Sequence, residues 1–335
     1  MSSRSPHPNK PEIARTERVL PGIWRLRLPC PWPGVPHVNA WAVAHEGGVV
    51  LFDTGIGGAE GAGQLEIGLR QAGFSLADVR LLVCTHSHSD HYGAAATVID
   101  GSGCELWMHP AWAHIRAIVE DPERAWDRRI EVARQSGIPA DALAAYEERR
   151  GEDPHIDRIV APDHDLLPGT AIATDVGVWN VYETPGHAPS HVVLHEPERR
   201  LMISGDHLLG RVSVFFDYGH SPDPVGEFLN SLDVVDELDT DLCLAGHGRP
   251  FRNVPEKIVA NRELTLGQRG RVLESLATGP KPAYDIVEDL LGDYFSPATA
   301  AWGLQITLAH LDHLAAEGLA QSELDGEAKL WRATG

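Results

Sequence analysis

The chain has 335 residues and carries 28 Lys+Arg against 48 Asp+Glu, which gives a formal net charge of -20 at pH 7. A field of this sign repels phosphate backbones, so the composition disfavours nucleic acid as a partner. The four cysteines lie far apart and form no C-x-x-C pair, which indicates neither a zinc knuckle nor a disulfide framework.

The N-terminal segment, MSSRSPHPNKPE, is polar and rich in proline. It lacks the apolar core of a secretory signal, and no later run approaches the length of a membrane-spanning helix. The sequence therefore predicts a cytoplasmic protein with no membrane partner, and a flexible tail over residues 1–18.

Residues 19–254 are predicted to form an α/β catalytic domain. Alternating or apolar runs at 23–28, 39–45 and 48–53 predict consecutive β-strands, and a further buried strand is expected at 79–84.

The middle of this domain changes character. Apolar residues recur at helical spacing from about 110 to 160, which predicts a helical insertion. Strands are expected again near 171–181, 191–195 and 201–204, followed by a helix at 224–238. A second α/β half is the simplest arrangement of these elements.

The C-terminal part is mostly helical, with helices predicted at 256–277, 283–291 and 297–318 and a strand-like piece at 329–332. That order indicates a small winged-helix-like domain over residues 255–335. Its third helix has no Lys or Arg, so it is a poor reader of nucleic acid. We expect it to pack against the catalytic domain or a partner in a homodimer.

Three histidines and an aspartate crowd the stretch THSHSDH at residues 85–91, directly after a predicted buried strand. Neutral imidazole is the commonest metal ligand, and catalytic zinc sites combine histidines with carboxylates. Side chains alternate in an extended segment, so His86 and His88 point the same way, while the turn into a helix redirects Asp90 and His91. One short segment can therefore supply ligands to two metals.

Four further motifs join an Asp or a His to a glycine: Asp53-Thr54-Gly55, Thr184-Pro185-Gly186-His187, Ser204-Gly205-Asp206-His207 and Ala245-Gly246-His247-Gly248. Together with THSHSDH, and in this order, they resemble the metallo-β-lactamase superfamily over roughly residues 19–250. The resemblance implies an α/β fold, the αββα sandwich, with a centre for two divalent metals.

The resemblance also implies seven ligands, with His86, His88 and His187 on the first metal, Asp90, His91 and His247 on the second, and Asp206 between them. Asp90 would in addition orient the nucleophile and carry a proton, which makes it the candidate catalytic residue. Zinc suits such ligands in hydrolysis, and manganese or iron would fit them as well.

Two residues near these ligands are expected to support them. Asp53 would accept the other ring N–H of a ligand histidine, a role that metal-bound histidines need filled; the alternative is an ordinary turn aspartate. His191 is expected to have a supporting or structural role, because the seven ligand positions are already assigned.

An Asp bridge with five histidines resembles the glyoxalase II-like and lactamase-β-like-2 proteins, and the latter also end in a winged-helix domain. The resemblance implies a dinuclear hydrolase whose bridging hydroxide attacks a small-molecule ester or thioester. The alternatives are an endoribonuclease of the lactamase-β-like-2 type, a lactonase and, more distantly, a mono-iron thiol or persulfide dioxygenase. A non-enzymatic binding module would require a degraded ligand set.

Two groups of residues, the arginines of the insertion and the apolar residues near its start and after Asp206, have both a functional and a structural interpretation. The arginines either receive a substrate anion or form a solvated face paired with acidic residues: Arg116, Arg124, Arg128, Arg129, Arg134, Arg149, Arg150 and Arg158. The apolar residues either line a pocket at the metal mouth or pack in the core: Trp107, Met108, Trp112, Phe215, Phe216 and Tyr218.

Overall fold

The computed structural model describes residues 13–32, 34–211 and 213–334. Its first sheet has seven strands that lie side by side in chain order. They are β1 (Arg15–Leu20), β2 (Ile23–Trp32), β3 (Val35–His45), β4 (Gly48–Phe52), β5 (Val79–Cys84), β6 (Glu105–Met108) and β7 (His164–Asp165). Neighbours from β1 to β4 are antiparallel, and neighbours from β4 to β7 are parallel.

The second sheet has five strands in the order β12-β11-β10-β9-β8. They are β8 (Ala171–Ala173), β9 (Val178–Glu183), β10 (Val192–Glu196), β11 (Leu201–Gly205) and β12 (Leu242–Ala245). The β11–β12 pair is parallel and the other pairs are antiparallel.

Helices cover the outer faces of both sheets. The first sheet carries α1 (Gly58–Ala72), α2 (Ser89–Tyr92) and α3 (Ala95–Ser102), and the second carries α7 (Pro224–Asp236). Apolar side chains of the two sheets, such as Phe52 and Trp179, meet between them in a separate buried cluster. Burial on both faces explains the continuous apolar run of β4 and the apolar run 81–84 that ends β5. The predicted αββα sandwich is confirmed.

The predicted tail over residues 1–18 is wrong at its C-terminal end, because strand β1 begins at Arg15. This edge strand has mostly polar side chains, so its apolar signal is weak. Hydrogen bonds hold it instead: the Thr16 N–H donates to Gln71 Oε1 (2.8 Å) and its hydroxyl to the Gly68 carbonyl (2.7 Å), both on α1. The first 12 residues lie outside the described part of the chain.

The predicted insertion is helical, with α4 (Ala113–Glu120), α5 (Pro122–Gln135) and α6 (Ala140–Glu147). It contacts the C-terminal region, where the Tyr284 N–H donates to the Ser136 carbonyl at 2.9 Å. The insertion therefore lies between the end of β6 and the C-terminal elements.

The C-terminal region contains α8 (Val254–Leu276), β13 (Lys281–Pro282), α9 (Ala283–Leu291), α10 (Pro297–Ala316), β14 (Ala320–Asp325) and β15 (Ala328–Ala333). Its three strands pair in the order β13-β15-β14. The winged-helix-like description remains an interpretation of this order of elements.

The C-terminal helices share one hydrophobic core with α7 and the second sheet, in which Phe228 and Leu232 of α7 lie with Leu308 and Leu311 of α10. The expected packing against the catalytic part is therefore present. Among the described residues, no helix combines the length and apolar character needed to cross a membrane.

Candidate metal centre

The seven predicted ligands lie at one end of the sandwich, where strands of both sheets finish. The loop after β5 carries His86 and His88, and α2 follows with Asp90 and His91. Strands β9, β11 and β12 of the second sheet each lead into a loop that carries another ligand, namely His187, Asp206 and His247. Strand β10 is antiparallel to both β9 and β11, and β11 is parallel to β12, so β9, β11 and β12 all run in the same direction. The loops that follow these three strands therefore lie at the same edge of the sheet.

The first cluster contains His86, His88 and His187. His88 Nδ1 lies 3.1 Å from His86 Nε2 and 3.0 Å from His187 Nε2. The Nδ1 atom of His187 donates to the Phe215 carbonyl at 3.0 Å, which leaves its Nε2 with a lone pair directed at the other two rings. Three imidazole nitrogens at this spacing are able to bind a metal ion.

The second cluster contains Asp90, His91 and His247, and Asp206 lies between the two clusters. His247 Nε2 is 3.3 Å from Asp90 Oδ2 and 3.1 Å from Asp206 Oδ2. Asp206 Oδ1 is 3.3 Å from His91 Nε2, and its Oδ2 is 3.7 Å from His187 Nε2 of the first cluster. The structure thus brings all seven predicted ligands together.

The polar atoms of this site fit a bound cation. His91 Nε2 and Asp206 Oδ1 are buried atoms that lie 3.3 Å apart, yet neither makes a well-aligned hydrogen bond. Buried polar atoms without partners are rare because their desolvation is costly. A cation between the imidazole nitrogens and the carboxylate oxygens would satisfy both atoms.

Asp53 has the supporting role expected of it, because it contacts the ring nitrogen of a ligand histidine that faces away from the other ligands. Asp53 Oδ2 accepts from His91 Nδ1 at 2.8 Å, and its carboxylate also accepts from the backbone N–H and hydroxyl of Thr85 (2.8 and 2.9 Å). The Thr85 hydroxyl is in turn 3.1 Å from His86 Nδ1. Asp53 therefore supports one ligand in each cluster.

His191 also has the supporting role expected of it. Its Nδ1 bonds to the Thr184 hydroxyl at 2.8 Å, and its Nε2 accepts from the Asp206 backbone N–H at 3.0 Å. The ring is buried and fixes the backbone that carries Asp206.

Without a metal, protons balance the carboxylates of the second cluster. Burial opposes a charge on His247, but Asp206 and Asp90 outweigh burial and raise the pKa of His247 to about 10. Burial likewise opposes ionisation of Asp90, but His91 and His247 lower its pKa to about 2. Metal binding at these nitrogens would therefore release protons.

A substitution at Gly246 tests how tightly this site is built. A Cβ at this position would lie 2.2 Å from Asp206 Oδ1 and 2.8 Å from His91 Cε1. We expect Gly246→Ala to displace Asp206, to lower metal affinity by at least about tenfold and to destabilise the fold by about 1–3 kcal/mol. Metal titration and urea unfolding measure both effects.

The matched control is Gly63→Ala on α1, where an added Cβ has no neighbour within 4 Å. It is expected to leave metal binding unchanged and to stabilise the helix by about 0.5–1 kcal/mol. Unchanged metal affinity in Gly246→Ala would contradict the placement of Asp206.

Some functional contacts were not predicted from the sequence. Backbone carbonyls of His37 and Phe215 accept from the Nδ1 atoms of His247 (2.8 Å) and His187 (3.0 Å). Asp217 Oδ2 lies 3.4 Å from His88 Nε2. Backbone acceptors have no side-chain signature, and Asp217 belongs to none of the motifs.

The arginines of the insertion form the solvated face that was one of the two interpretations. Five of the eight pair with acidic side chains, and a sixth lies over the Trp126 ring: Arg116, Arg134, Arg149, Arg150, Arg158 and Arg129.

Of the apolar residues, Met108 and Phe216 are core residues with no exposed surface. Phe215 is near the ligands, with its ring centre 5.9 Å from that of His187 and 6.3 Å from that of His88.

Comparison with known proteins gives a consistent result. Residues 33–247 match the family model described as metallo-beta-lactamase superfamily. The chain is 26% identical over 313 residues to the probable metallo-hydrolase YqjP of Bacillus subtilis (strain 168), which covers 90% of this chain and 94% of that protein. It is 22% identical over 335 residues to the atrochrysone carboxyl ACP thioesterase of Passalora fulva, covering 96% and 84% of the two chains.

A solved structure shares this architecture over nearly the whole chain. The metallo-beta-lactamase family protein from Thermus thermophilus superposes with a TM-score of 0.79 at 26% identity, covering 94% of this chain and all of the other. The similarity therefore extends beyond the αββα sandwich into the insertion and the C-terminal elements.

Proposed function

This chain belongs to the metallo-beta-lactamase superfamily, and from that premise we propose that it is a two-metal hydrolase of a small-molecule thioester or ester. The observation that carries the proposal is the convergence of seven side chains, in which Asp206 faces both the His86–His88–His187 cluster and the second cluster. Two adjacent three-ligand groups joined by a carboxylate suit a dinuclear centre.

The chain's own residues then have distinct roles. His86, His88 and His187 would hold the first metal, while Asp90, His91 and His247 would hold the second, and Asp206 would contact both. When bound there, two divalent metals, with zinc the ion that this donor set suits best, would supply an activated water and polarise the scissile carbonyl. Asp90 lies beside His247 and is the residue that would orient that water and carry its proton.

The choice of a thioester or ester rests on the surroundings of the site and on relatives. Phe215 places an apolar ring beside His88 and His187, which suits an acyl group. The Passalora fulva relative is a thioesterase by name. Against RNA stands the net charge of -20, and the insertion's paired arginines offer little free positive charge.

The experiment combines metal content with a substrate panel on the purified full chain. We expect two divalent metals per chain, and turnover of an acyl thioester and an aryl ester that a chelator abolishes and zinc restores. The same preparation is assayed with a lactone and single-stranded RNA, and for oxygen uptake with a thiol or persulfide.

Each of the other outcomes would identify a different function. Preferred turnover of the lactone or RNA would overturn the substrate class but keep the two-metal hydrolase. A single iron with oxygen uptake and no hydrolysis would replace the hydrolase with a dioxygenase.

A further inference from the structure

The loop between β5 and α2 is held from its outer side by the helical insertion. Ser87, which separates the ligands His86 and His88, is fully buried. Its hydroxyl oxygen lies 3.0 Å from His114 Nε2 and 3.2 Å from Ser190 Oγ. His114 belongs to α4, so the insertion bonds directly to the segment between two ligands.

The His114 ring is fixed at both nitrogens. Its Nδ1 donates to the Ala111 carbonyl at 3.1 Å, while its Nε2 bonds to Ser87. Only 5% of its side chain is exposed, a burial typical of a residue with a defined structural partner rather than a surface histidine.

A second contact reaches the same loop from the segment after β11. Asp217 Oδ2 accepts from His88 Nε2 (3.4 Å) and lies 3.8 Å from both His114 Nε2 and His220 Nε2. The Asp217 backbone N–H also donates to the His187 carbonyl at 3.1 Å. Asp217 therefore restrains two of the three ligands in the first cluster.

The cluster of His88, His114 and Asp217 is also compact enough to bind a metal of its own. However, His88 Nδ1 faces His86 and His187, so this nitrogen would supply the lone pair to the first metal. The proton of His88 then resides on Nε2 and points at Asp217. That arrangement orients a ligand ring through an outer carboxylate.

We propose that His114 and Asp217 are positioning residues of the first metal, so that the helical insertion is part of the metal centre. The inference rests on the proposed two-metal function. His114 holds the loop backbone through Ser87, and Asp217 sets the direction of the His88 ring. Loss of either contact loosens the three-histidine cluster but leaves the second cluster, which neither residue touches.

Metal affinity of the full chain tests the proposal. Zinc is titrated in competition with a chromophoric chelator into wild type, His114→Ala, Asp217→Ala and the double variant. His86→Ala and His247→Ala identify which of the two binding steps belongs to the first and to the second metal. Outer contacts of this kind typically contribute 10–100-fold in affinity, so we expect a 10–100-fold loss at the first step and no change at the second.

Two further variants separate positioning from a general loss of structure. His114→Gln keeps an amide within reach of Ser87 and is expected to recover most of the lost affinity. Arg116 lies on the same helix as His114, and among the acidic side chains of the described residues it pairs only with exposed Glu120. The Arg116→Ala variant is therefore expected to bind both metals as wild type does.

The outcomes distinguish this inference from the function on which it rests. A wild type that binds no metal would overturn the proposed function itself. A wild type that binds two metals, with unchanged first-step affinity in His114→Ala and Asp217→Ala, would overturn the positioning role alone. Equal weakening of both steps, with a lower unfolding midpoint of the metal-free chain, would also overturn it.

Discussion

We expect Asp206→Asn to lower kcat/KM for the thioester by about 10³-fold or more, beyond the 10–100-fold loss typical of an outer contact. The Asp206 carboxylate faces His91 and His247 on one side and His187 on the other. The amide has nearly the same shape but no charge, so it weakens the attraction for both cations. Steady-state kinetics and elemental analysis of the same preparation measure the effect.

The control for this variant is Asp233→Asn on α7. Asp233 is exposed and pairs with Arg262 at 2.7 Å. Neither residue of this pair is one of the seven candidate ligands. It is expected to keep wild-type turnover and metal content. Full activity of Asp206→Asn with two metals bound would contradict the bridging assignment.

The second large effect is expected for Asp53→Ala, which should destabilise the metal-free chain by about 3–5 kcal/mol. The substitution removes the acceptor for three buried donors, His91 Nδ1 and the N–H and hydroxyl of Thr85. Since Thr85 also contacts His86, both metal clusters lose support, and affinity should fall at both binding steps.

Asp53→Asn makes this prediction more specific. The Asp53 backbone has φ +62°, a left-handed conformation that Asn adopts more readily than Ala. Asn also keeps one acceptor oxygen, so a smaller loss than for Ala is expected. Urea unfolding in chelator measures stability, and Asp100→Ala, which removes an exposed ion pair with Arg158, should leave the midpoint unchanged. Equal stability of wild type and Asp53→Ala would contradict the supporting role.

The residues of the two largest predictions, Asp206 and Asp53, were both singled out by short sequence motifs. Asp206 lies in a short Ser-Gly-Asp-His motif after an apolar strand, and its place between the two metals is implied by the superfamily resemblance to which this motif contributes. The inner strands of the sandwich were predictable because burial makes β4, β5, β10 and β11 mostly apolar. The edge strand β1 lacks this pattern, and its hydrogen bonds to α1 became visible only in the structure.

The sequence alone therefore determined the fold class and a candidate set of seven ligands, because strand periodicity is local and the motifs, in their order, resemble those of a known superfamily. Beyond the expected support from Asp53 and His191, only the tertiary structure decided which groups hold those ligands in place. The His37 carbonyl that orients His247 is 210 residues away in sequence, and the His114–Ser87 contact joins the insertion to the ligand loop. Such contacts form between groups that carry no pattern of their own, since a backbone carbonyl or a single histidine becomes a specific partner only when folding places it at hydrogen-bond distance.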